Sequence, residues 1–297
     1  MRAATVTANT RSKPVRGAKR ATSLLILSSK AGSMTPEIEA KLRKAFARSL
    51  VMEFDPTMEL EKLVSPKGMV IVAGGDGTIG WVVRRLADTK HPVGILSLGT
   101  FNNFAKSLHL PTTVDAAIRV VKTGKPHPIT LGRLNGKVFL EAAAIGLFGE
   151  TIAAGESAKD RAFGAFAGDL KHVMEARPFK YELTGDIRGS GSCMSLVFTN
   201  TNSIGSQMPV SDKTPKDPYL ELSVHAGKSR TDIAKRVLAR VVLSKHGEEG
   251  LGQVFKFRKL EVVTKPKVRV YADNAQLGRT PATITAELSA LRVFLPR

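Results

Sequence analysis

Four apolar residues run directly into three glycines and an aspartate, and this pattern constrains the fold more than any other part of the chain. Residues 69–72 (MVIV) have the composition of a buried strand, and AGGDGTIGW follows at 73–81. Apolar residues then recur at helical spacing from Ile79 to Leu86. A buried strand, a glycine-rich turn and an amphipathic helix in this order begin a βαβ unit, and such units build a parallel sheet covered by helices.

The first half of the chain repeats this alternation of strands and helices. Strands are predicted at Ser23–Leu27, Met69–Ala73 and Val93–Ser97. Helices are predicted at 36–50, 79–89 and 113–123. We therefore expect residues 23–126 to form a doubly wound α/β domain around a parallel sheet.

After Gly124 the pattern changes to short strand-like runs separated by Gly, Pro and Ser. The runs lie at 137–145, 179–187, 193–199, 219–225, 254–263 and 267–272, with helical insertions predicted near 158–176 and 230–243. Short strands with frequent turns are typical of antiparallel sheets. Residues 127–284 are therefore predicted to form a second, mainly β domain that is antiparallel and β-sandwich-like.

The charge of the chain narrows its partners. Lys and Arg number 45 against 26 Asp and Glu, which gives a net charge of +19. Such a surface should attract polyanions, namely nucleic acid, anionic lipid or phosphorylated ligands. Residues 1–22 contain basic residues and no acid, so we expect a basic flexible tail there, with an organellar presequence as the alternative.

Two other features of composition exclude classes of protein. A single cysteine, Cys193, rules out an internal disulfide framework and a multi-cysteine zinc site. No apolar run approaches the roughly 18 residues that a membrane-spanning helix needs. We therefore expect a cytoplasmic protein that associates with membranes only peripherally.

Two glycine-containing loops follow neighbouring predicted strands. The first is GGDGT at 74–78, and the second is LGTFNNFAKSL at 98–108. Glycines let the backbone approach a ligand, and the N-terminus of the following helix offers free N–H groups that suit a phosphate. Neither loop matches the two common nucleotide-binding patterns. The alternative for the first loop is a tight strand–helix turn with Asp76 as its cap.

The two loops together resemble the diacylglycerol kinase catalytic domain, which bacterial lipid kinases, sphingosine kinases and ceramide kinases share. GGDGT alone also occurs in NAD kinases, whereas the second motif, GILSLGTFNNFA at 94–105, favours the lipid kinases. The resemblance extends over about 23–297 and implies that 285–297 return to the first, nucleotide-binding domain. It also implies transfer of a phosphoryl group from ATP, with Mg²⁺, to a lipid hydroxyl.

The resemblance also implies site residues. A structural Mg²⁺ is implied in TPKDPYLELSV (214–224), at Thr214, Asp217 and Tyr219, and a general base in VRVYADNAQLG (268–278), at Asp273, for which an ordinary turn is the alternative. Asp76 is expected to orient its loop or to contact Mg²⁺ through water. The residues implied to bind the nucleotide are Ser28, Ser29, Lys30, Gly32, Gly74, Gly75, Asp76, Gly77, Thr78, Thr100 and Asn102.

The chain departs from the family pattern where relatives often carry polar or acidic residues. Those positions hold Gly80, Trp81, Asn103, Thr130 and Ala275. Ala275 stands where many members have the glutamate that is their assigned base. Three outcomes stay open: Asp273 acts alone, Glu141 or Glu150 is recruited, or activity is lost.

The sequence as a whole predicts an ATP-dependent lipid kinase acting on diacylglycerol at an anionic membrane surface. Ceramide or a sphingoid base is the close alternative, and an NAD kinase or a catalytically silent basic binding protein on the same fold is a weaker one. No nucleic-acid partner is expected, and a homodimer is left open. Residues 162–168 could line a lipid cavity or form a packed helix pair, and 230–245 could pack in the core or dock on a membrane.

Overall fold

The computed structural model describes residues 20–149, 177–204, 208–225, 254–273 and 275–297, with the backbone alone at 208 and 209. All but three residues of the expected basic tail lie outside these ranges. The helical insertions near 158–176 and 230–243 and the apolar segments 162–168 and 230–245 lie wholly outside them.

The first region is built on four parallel strands in the order β2-β1-β3-β4. Helices connect or follow the strands, as the alternating sequence pattern predicts. The elements are β1 (Ala21–Leu27), α1 (Pro36–Ala45), β2 (Leu50–Glu53), α2 (Leu60–Leu63), β3 (Val64–Gly74), α3 (Asp76–Leu86), β4 (Pro92–Ser97), α4 (Asn103–Ser107) and α5 (Val114–Thr123).

Both faces of this sheet are buried, because successive side chains of a strand point to opposite faces. On one face Leu24 and Val70 pack with Val83 of α3. On the other, Leu25 and Ile71 pack with residues of α1 and α5. Helices therefore cover both faces, and the predicted doubly wound α/β architecture is confirmed.

Helix α1 ends five residues earlier than the sequence pattern predicts. It begins at Pro36, where Thr35 Oγ1 accepts a hydrogen bond from the N–H of Ile38 as an N-cap. It ends at Ala45, and Leu50, predicted to be helical, starts the edge strand β2 and pairs in register with Leu24. Pairing with β1 therefore overrides the local helical periodicity.

The described residues of the second region lie mostly in strands. It contains β5 (Lys125–Leu134), β6 (Lys137–Phe139), β7 (Ala142–Gly146), β8 (Phe179–Gly185), β9 (Gly189–Cys193), β10 (Ser195–Thr199), β11 (Ser203–Ile204), β12 (Met208–Pro209), β13 (Leu220–His225), β14 (Val254–Phe257), β15 (Lys259–Lys265), β16 (Arg269–Ala272), β17 (Ala275–Arg279) and β18 (Ala282–Leu295).

A six-stranded sheet of this region packs on the antiparallel part of the ten-stranded sheet that also contains β1 to β4, and the two enclose a common core. One sheet has the antiparallel order β14-β13-β10-β7-β16-β17. Its Ile145, Phe198 and Val270 pack with Leu260 and Ile284 of the opposing β15 and β18. Antiparallel sheets packed face to face confirm the predicted mainly β, sandwich-like second part.

Strand β18 connects the two regions. Its later residues run parallel to β4, with Arg292 opposite Pro92, while its first half pairs antiparallel to β15. Strand β5 accompanies it along most of its length. The expected boundaries at 126/127 and 284/285 fall inside β5 and β18, and the division into two domains stays a prediction.

Candidate active site

Three loops meet at the carboxyl edge of the parallel sheet, after β1, β3 and β4. They hold residues 28–32, 74–78 and 98–102, and their strands are direct neighbours. The N–H of Ser28 donates to Ala73 O at 3.0 Å, and the N–H of Leu98 donates to Gly74 O at 2.8 Å. A Cβ added to Gly32 would lie 3.5 Å from Thr100 Oγ1. This edge is where open α/β sheets bind ligands.

Glycines allow the second and third loops to pack backbone against backbone. A Cβ at Gly75 would lie 3.3 Å from Gly99 Cα, and a Cβ at Gly99 would lie 2.7 Å from Gly75 Cα. A Cβ at Gly74 would lie 2.9 Å from the Cβ of Thr78. These three glycines are therefore explained by contacts within the protein.

Asp76 fastens the same two loops together. Its Oδ2 accepts a hydrogen bond from the N–H of Asn102 at 2.8 Å. Asn102 has the left-handed φ of 55°, and its side-chain amide exchanges two hydrogen bonds with the backbone of Gly99, at 2.7 and 3.0 Å. The carboxylate thus orients the loop, which is one of the two roles predicted for it.

Gly77 differs from the other loop glycines. A Cβ added there would meet nothing within 4 Å, so the space beside it is open. Gly77 lies in the first turn of α3, where backbone N–H groups have no partner within the helix and the helix dipole favours an anion. An open space at the N-terminus of a helix suits a phosphate group.

The remaining predicted nucleotide-binding residues divide into buried and exposed groups. Ser28 and Thr78 are buried under the loops. Ser29 and Lys30 are exposed, and the N–H of Ser29 donates to Glu53 Oε1 at 2.8 Å. The structure brings all of the predicted residues to one edge, and their roles in nucleotide binding stay predictions.

Asp273 lies across from this edge, in the turn between β16 and β17. It has the left-handed φ of 48°, and its neighbours Ala272 and Ala275 pair across the turn. Its carboxylate accepts hydrogen bonds from the N–H groups of Leu140 and Glu141, at 3.1 and 2.9 Å. Asp273 therefore does lie in a turn, which was the alternative to its role as a base. Its side chain points toward the N–H groups of Leu140 and Glu141.

A third donor reaches Asp273 from helix α3. Arg84 Nη2 of α3 lies 2.5 Å from Asp273 Oδ2. The Asp273 side chain is 12% exposed, whereas that of Arg84 is 41% exposed. The ion pair connects the helix that follows GGDGT to the second region.

Arg84 was not predicted from the sequence, although a glycine four positions earlier, Gly80, is consistent with an arginine side chain lying over it. A Cβ at Gly80 would lie 2.9 Å from Arg84 Nη1. Residues four apart lie on the same side of a helix, so the missing side chain at position 80 leaves room for the guanidinium. A side chain at position 80 would displace the guanidinium, which is the flexible end of the Arg84 side chain.

A polar cluster around Glu141 joins α4 to the second region. Asn103 Nδ2 donates to Glu141 Oε2 at 3.1 Å, and Ser203 Oγ donates to Asn103 Oδ1 at 3.3 Å. The N–H of Asn200 donates to Glu141 O at 2.8 Å. Glu141, one of the predicted substitutes for the missing glutamate, thus lies beside Asp273. Glu150, the other, lies outside the described residues.

Thr214, Asp217 and Tyr219 do not fit a Mg²⁺ site. The N–H of Thr214 donates to Asp217 Oδ2 at 2.7 Å, and Thr214 O accepts from the N–H of Asp217 at 3.0 Å. Two ammonium groups, Lys213 and Lys256, lie 5.7 and 4.6 Å from the centre of the Tyr219 ring. Asp217 Oδ2 and Thr214 O therefore already accept hydrogen bonds, and the neighbouring cations would repel a divalent ion.

Lys213 places a buried positive charge in this loop. It is 1% exposed. Its Nζ donates to Asn200 Oδ1 at 2.9 Å, to Asn200 O at 3.3 Å and to Thr214 O at 2.8 Å. Burial lowers the pKa of Lys213 to about 8, against the opposing effect of the Asp217 and Glu221 carboxylates. The group is therefore mainly charged at neutral pH.

The described residues also bear on metal binding and on membrane-spanning helices. Within the described ranges, no three His, Cys, Asp or Glu side chains are grouped to hold a metal ion. No helix in that part of the chain is long and apolar enough to cross a bilayer.

Known proteins resemble this chain in sequence. A diacylglycerol kinase of Staphylococcus carnosus is 27% identical over 279 residues, which cover 89% of this chain and 90% of the relative. A diacylglycerol kinase of Staphylococcus epidermidis is 24% identical over 251 residues, which cover 82% of this chain and 79% of the relative.

Solved structures resemble it in fold. The crystal structure of a diacylglycerol kinase from Bacillus anthracis has a TM-score of 0.71 at 20% identity and covers 92% of this chain and 96% of its own. An NAD kinase from Archaeoglobus fulgidus in complex with ATP has a TM-score of 0.51 at 16% identity and covers 92% of this chain and 93% of its own. The family model of the diacylglycerol kinase catalytic domain matches residues 6–134. The resemblance indicated by the two loop motifs is confirmed over residues 6–134, which match the model of that family.

Proposed function

We propose that this protein is an ATP-dependent lipid kinase, with diacylglycerol as its acceptor. The observation that carries the proposal is the meeting of the three loops at one sheet edge, fastened by Asp76, in a chain whose matched relatives are named diacylglycerol kinases. Phosphoryl transfer depends mainly on positioning and charge neutralisation, which such loops provide.

In this proposal the triphosphate lies beside Gly77, at the N-terminus of α3. The open space there and the dipole at the N-terminus of α3, which favours an anion, support this position. Thr100 and the exposed Lys30 belong to the two adjoining loops and would contact phosphate oxygens. Mg²⁺ would enter with ATP, held mainly by phosphate oxygens, and would supply charge neutralisation.

Asp273 remains the proposed proton acceptor, and the geometry adds a condition. Its bond to Arg84 is the one that can open, since Arg84 is a partly exposed side chain and the other two donors are backbone groups. Arg84 would turn to the transferring phosphoryl group. The lipid oxygen then forms a bond to the γ-phosphorus, the bond from that phosphorus to ADP breaks, and the hydroxyl proton passes to Asp273 Oδ2.

The other functions are less well supported. NAD kinases share the fold, but the relatives matched in sequence are diacylglycerol kinases. A silent binding protein on this fold differs only in lacking turnover, so an assay decides it. Ceramide or a sphingoid base as acceptor, peripheral attachment to an anionic membrane from the cytoplasm, and a homodimer also stay proposals, the membrane one supported by the charge of +19.

The test is incubation of the full chain with γ-labelled ATP, Mg²⁺ and a total lipid extract. We expect label in phosphatidic acid. Label in ceramide phosphate or a phosphorylated sphingoid base would change the acceptor and keep the reaction class. A parallel reaction with NAD⁺ serves as the control. Label in NADP⁺, or in no product at all, would overturn the proposed function.

A further inference from the structure

Lys213 lies in a buried cage of oxygen atoms. Its ammonium group contacts both oxygens of Asn200 and the carbonyl oxygen of Thr214, at 2.8 to 3.3 Å. A lysine as buried as this one normally has partners that compensate for the loss of water. Here neutral oxygens surround the charge, and the carboxylates of Asp217 and Glu221 lie close enough to favour it.

The cage holds together segments that are distant in sequence. Asn200 Nδ2 donates to Thr130 O at 3.1 Å and to Leu140 O at 3.0 Å. The N–H of Thr130 donates to Pro215 O at 2.7 Å, which closes the connection to the 213–219 loop. The charge on Lys213 therefore anchors β5, the residues before β7 and the loop before β13 at one point beside Asp273.

We propose that the Lys213 ammonium group is the resident cation of this corner, in the segment where the family resemblance implies a structural Mg²⁺. The chain then assembles the corner without a divalent ion, and its need for Mg²⁺ is confined to ATP. An ammonium group suits the contacts present, because donor distances near 2.9 Å fit hydrogen bonds. Mg²⁺ would require oxygens at about 2.0–2.1 Å in an octahedron.

Thermal unfolding and titration calorimetry of the nucleotide-free chain test the metal directly. We expect the same Tm in EDTA and in excess Mg²⁺, and no saturable heat when Mg²⁺ is added. Neither measurement involves ATP or lipid, so the result is separate from that of the kinase assay. Saturable binding that raises the Tm and disappears in Asp217→Asn would overturn the proposal.

Substitution of the lysine provides the second test. Lys213→Met keeps an unbranched side chain of nearly the same length and removes its charge, which leaves the cage oxygens and the nearby carboxylates without their cation. We expect the Tm to fall by on the order of 5–10 °C. Lys216→Met is the matched control, because Lys216 is an exposed lysine of the same loop, and its Tm should stay close to that of the parent chain.

Two results would contradict the proposal. Equal Tm values for Lys213→Met and Lys216→Met would show that the Lys213 charge does not stabilise the fold. If EDTA lowered the Tm of the unsubstituted chain and added Mg²⁺ restored it, the metal and not the lysine would be the cation. Failure of Lys213→Met to fold, with Lys216→Met folded, would support the proposal as the extreme form of the expected loss.

Discussion

The proposed active site has a nucleotide side, formed by the loops at 28–32, 74–78 and 98–102, and an acceptor side around Asp273 and Lys213, and the two are built in different ways. On the nucleotide side, glycines bring the backbones of two loops together, with a Cβ at Gly99 placed 2.7 Å from Gly75 Cα. On the acceptor side, charged side chains hold the structure: Arg84 and two N–H groups bind Asp273, and Lys213 binds three oxygens. One side depends on the absence of side chains and the other on their charge.

This difference separates what a substitution can do on each side. Adding a carbon atom to the loops moves backbone, so its effect should fall on nucleotide binding and loop packing together. Removing a charge from the acceptor side leaves the loops in place, so its effect should fall on turnover or on stability without loss of ATP affinity. The comparison can be broken by variants that reverse either expectation.

The largest effect is expected from Asp273→Asn. If Asp273 accepts the hydroxyl proton, turnover should fall by roughly 10²–10⁴-fold while ATP affinity stays nearly unchanged. Asparagine tolerates the left-handed φ of 48° at this turn, so the backbone should be preserved. The kinase assay and a nucleotide-binding titration measure the two quantities separately.

The split between turnover and affinity distinguishes a role in the reaction from a role in shaping the nucleotide site. A fall in turnover with unchanged ATP affinity would support Asp273 as the base, whereas a fall in both would indicate that the substitution disturbs the nucleotide loops. Full activity of Asp273→Asn would mean that the wrong base has been named and would move attention to Glu141.

The nucleotide side could be predicted from sequence because its determinants are local. The apolar run 69–72, the glycines after it and the second loop at 98–102 are each contiguous, and adjacent parallel strands necessarily end at one edge. Asp76 as the link between the loops follows from the same geometry. The short helix α1 was mispredicted because pairing of β2 with β1 is not a local property.

The acceptor side could not be predicted in the same way. Arg84 and Asp273 are 189 positions apart, and Lys213 meets Asn200 only after β10 and β13 have paired. Family resemblance located Asp273 but suggested a metal at Thr214, Asp217 and Tyr219, where the fold places a lysine. A single buried ammonium group leaves no periodic or motif signal in a sequence.

The second largest effect is expected from Gly99→Ala. Its Cβ would lie 2.7 Å from Gly75 Cα and 2.8 Å from Asn102 Oδ1, so the two loops must separate. Forcing a carbon atom into a packed site costs about 1–3 kcal/mol. ATP affinity should fall about tenfold, and Tm should fall with it. Titration calorimetry and thermal unfolding measure both.

Gly189→Ala is the control for that variant. A Cβ at Gly189 would meet nothing within 4 Å, and the residue lies on the exposed strand β9. We expect parental ATP affinity and Tm. If Gly99→Ala bound ATP as tightly as this control does, loop packing would not be what shapes the nucleotide site.

The smallest expected effect, from Gly77→Ala, separates ligand space from protein packing most cleanly. Gly75 is less suitable for this purpose, because a Cβ there would already lie 3.3 Å from Gly99 Cα. At Gly77 an added Cβ touches no protein atom within 4 Å, and alanine favours a helix over glycine by up to about 1 kcal/mol. Tm should therefore stay level or rise slightly. ATP affinity should nevertheless fall several-fold, because the methyl group would occupy the space proposed for a phosphate.

Opposite changes in stability and affinity are the signature of a glycine retained for its ligand. Unchanged ATP affinity in a chain with raised Tm would show that the triphosphate lies elsewhere. The loop glycines would then shape the protein and not the nucleotide site.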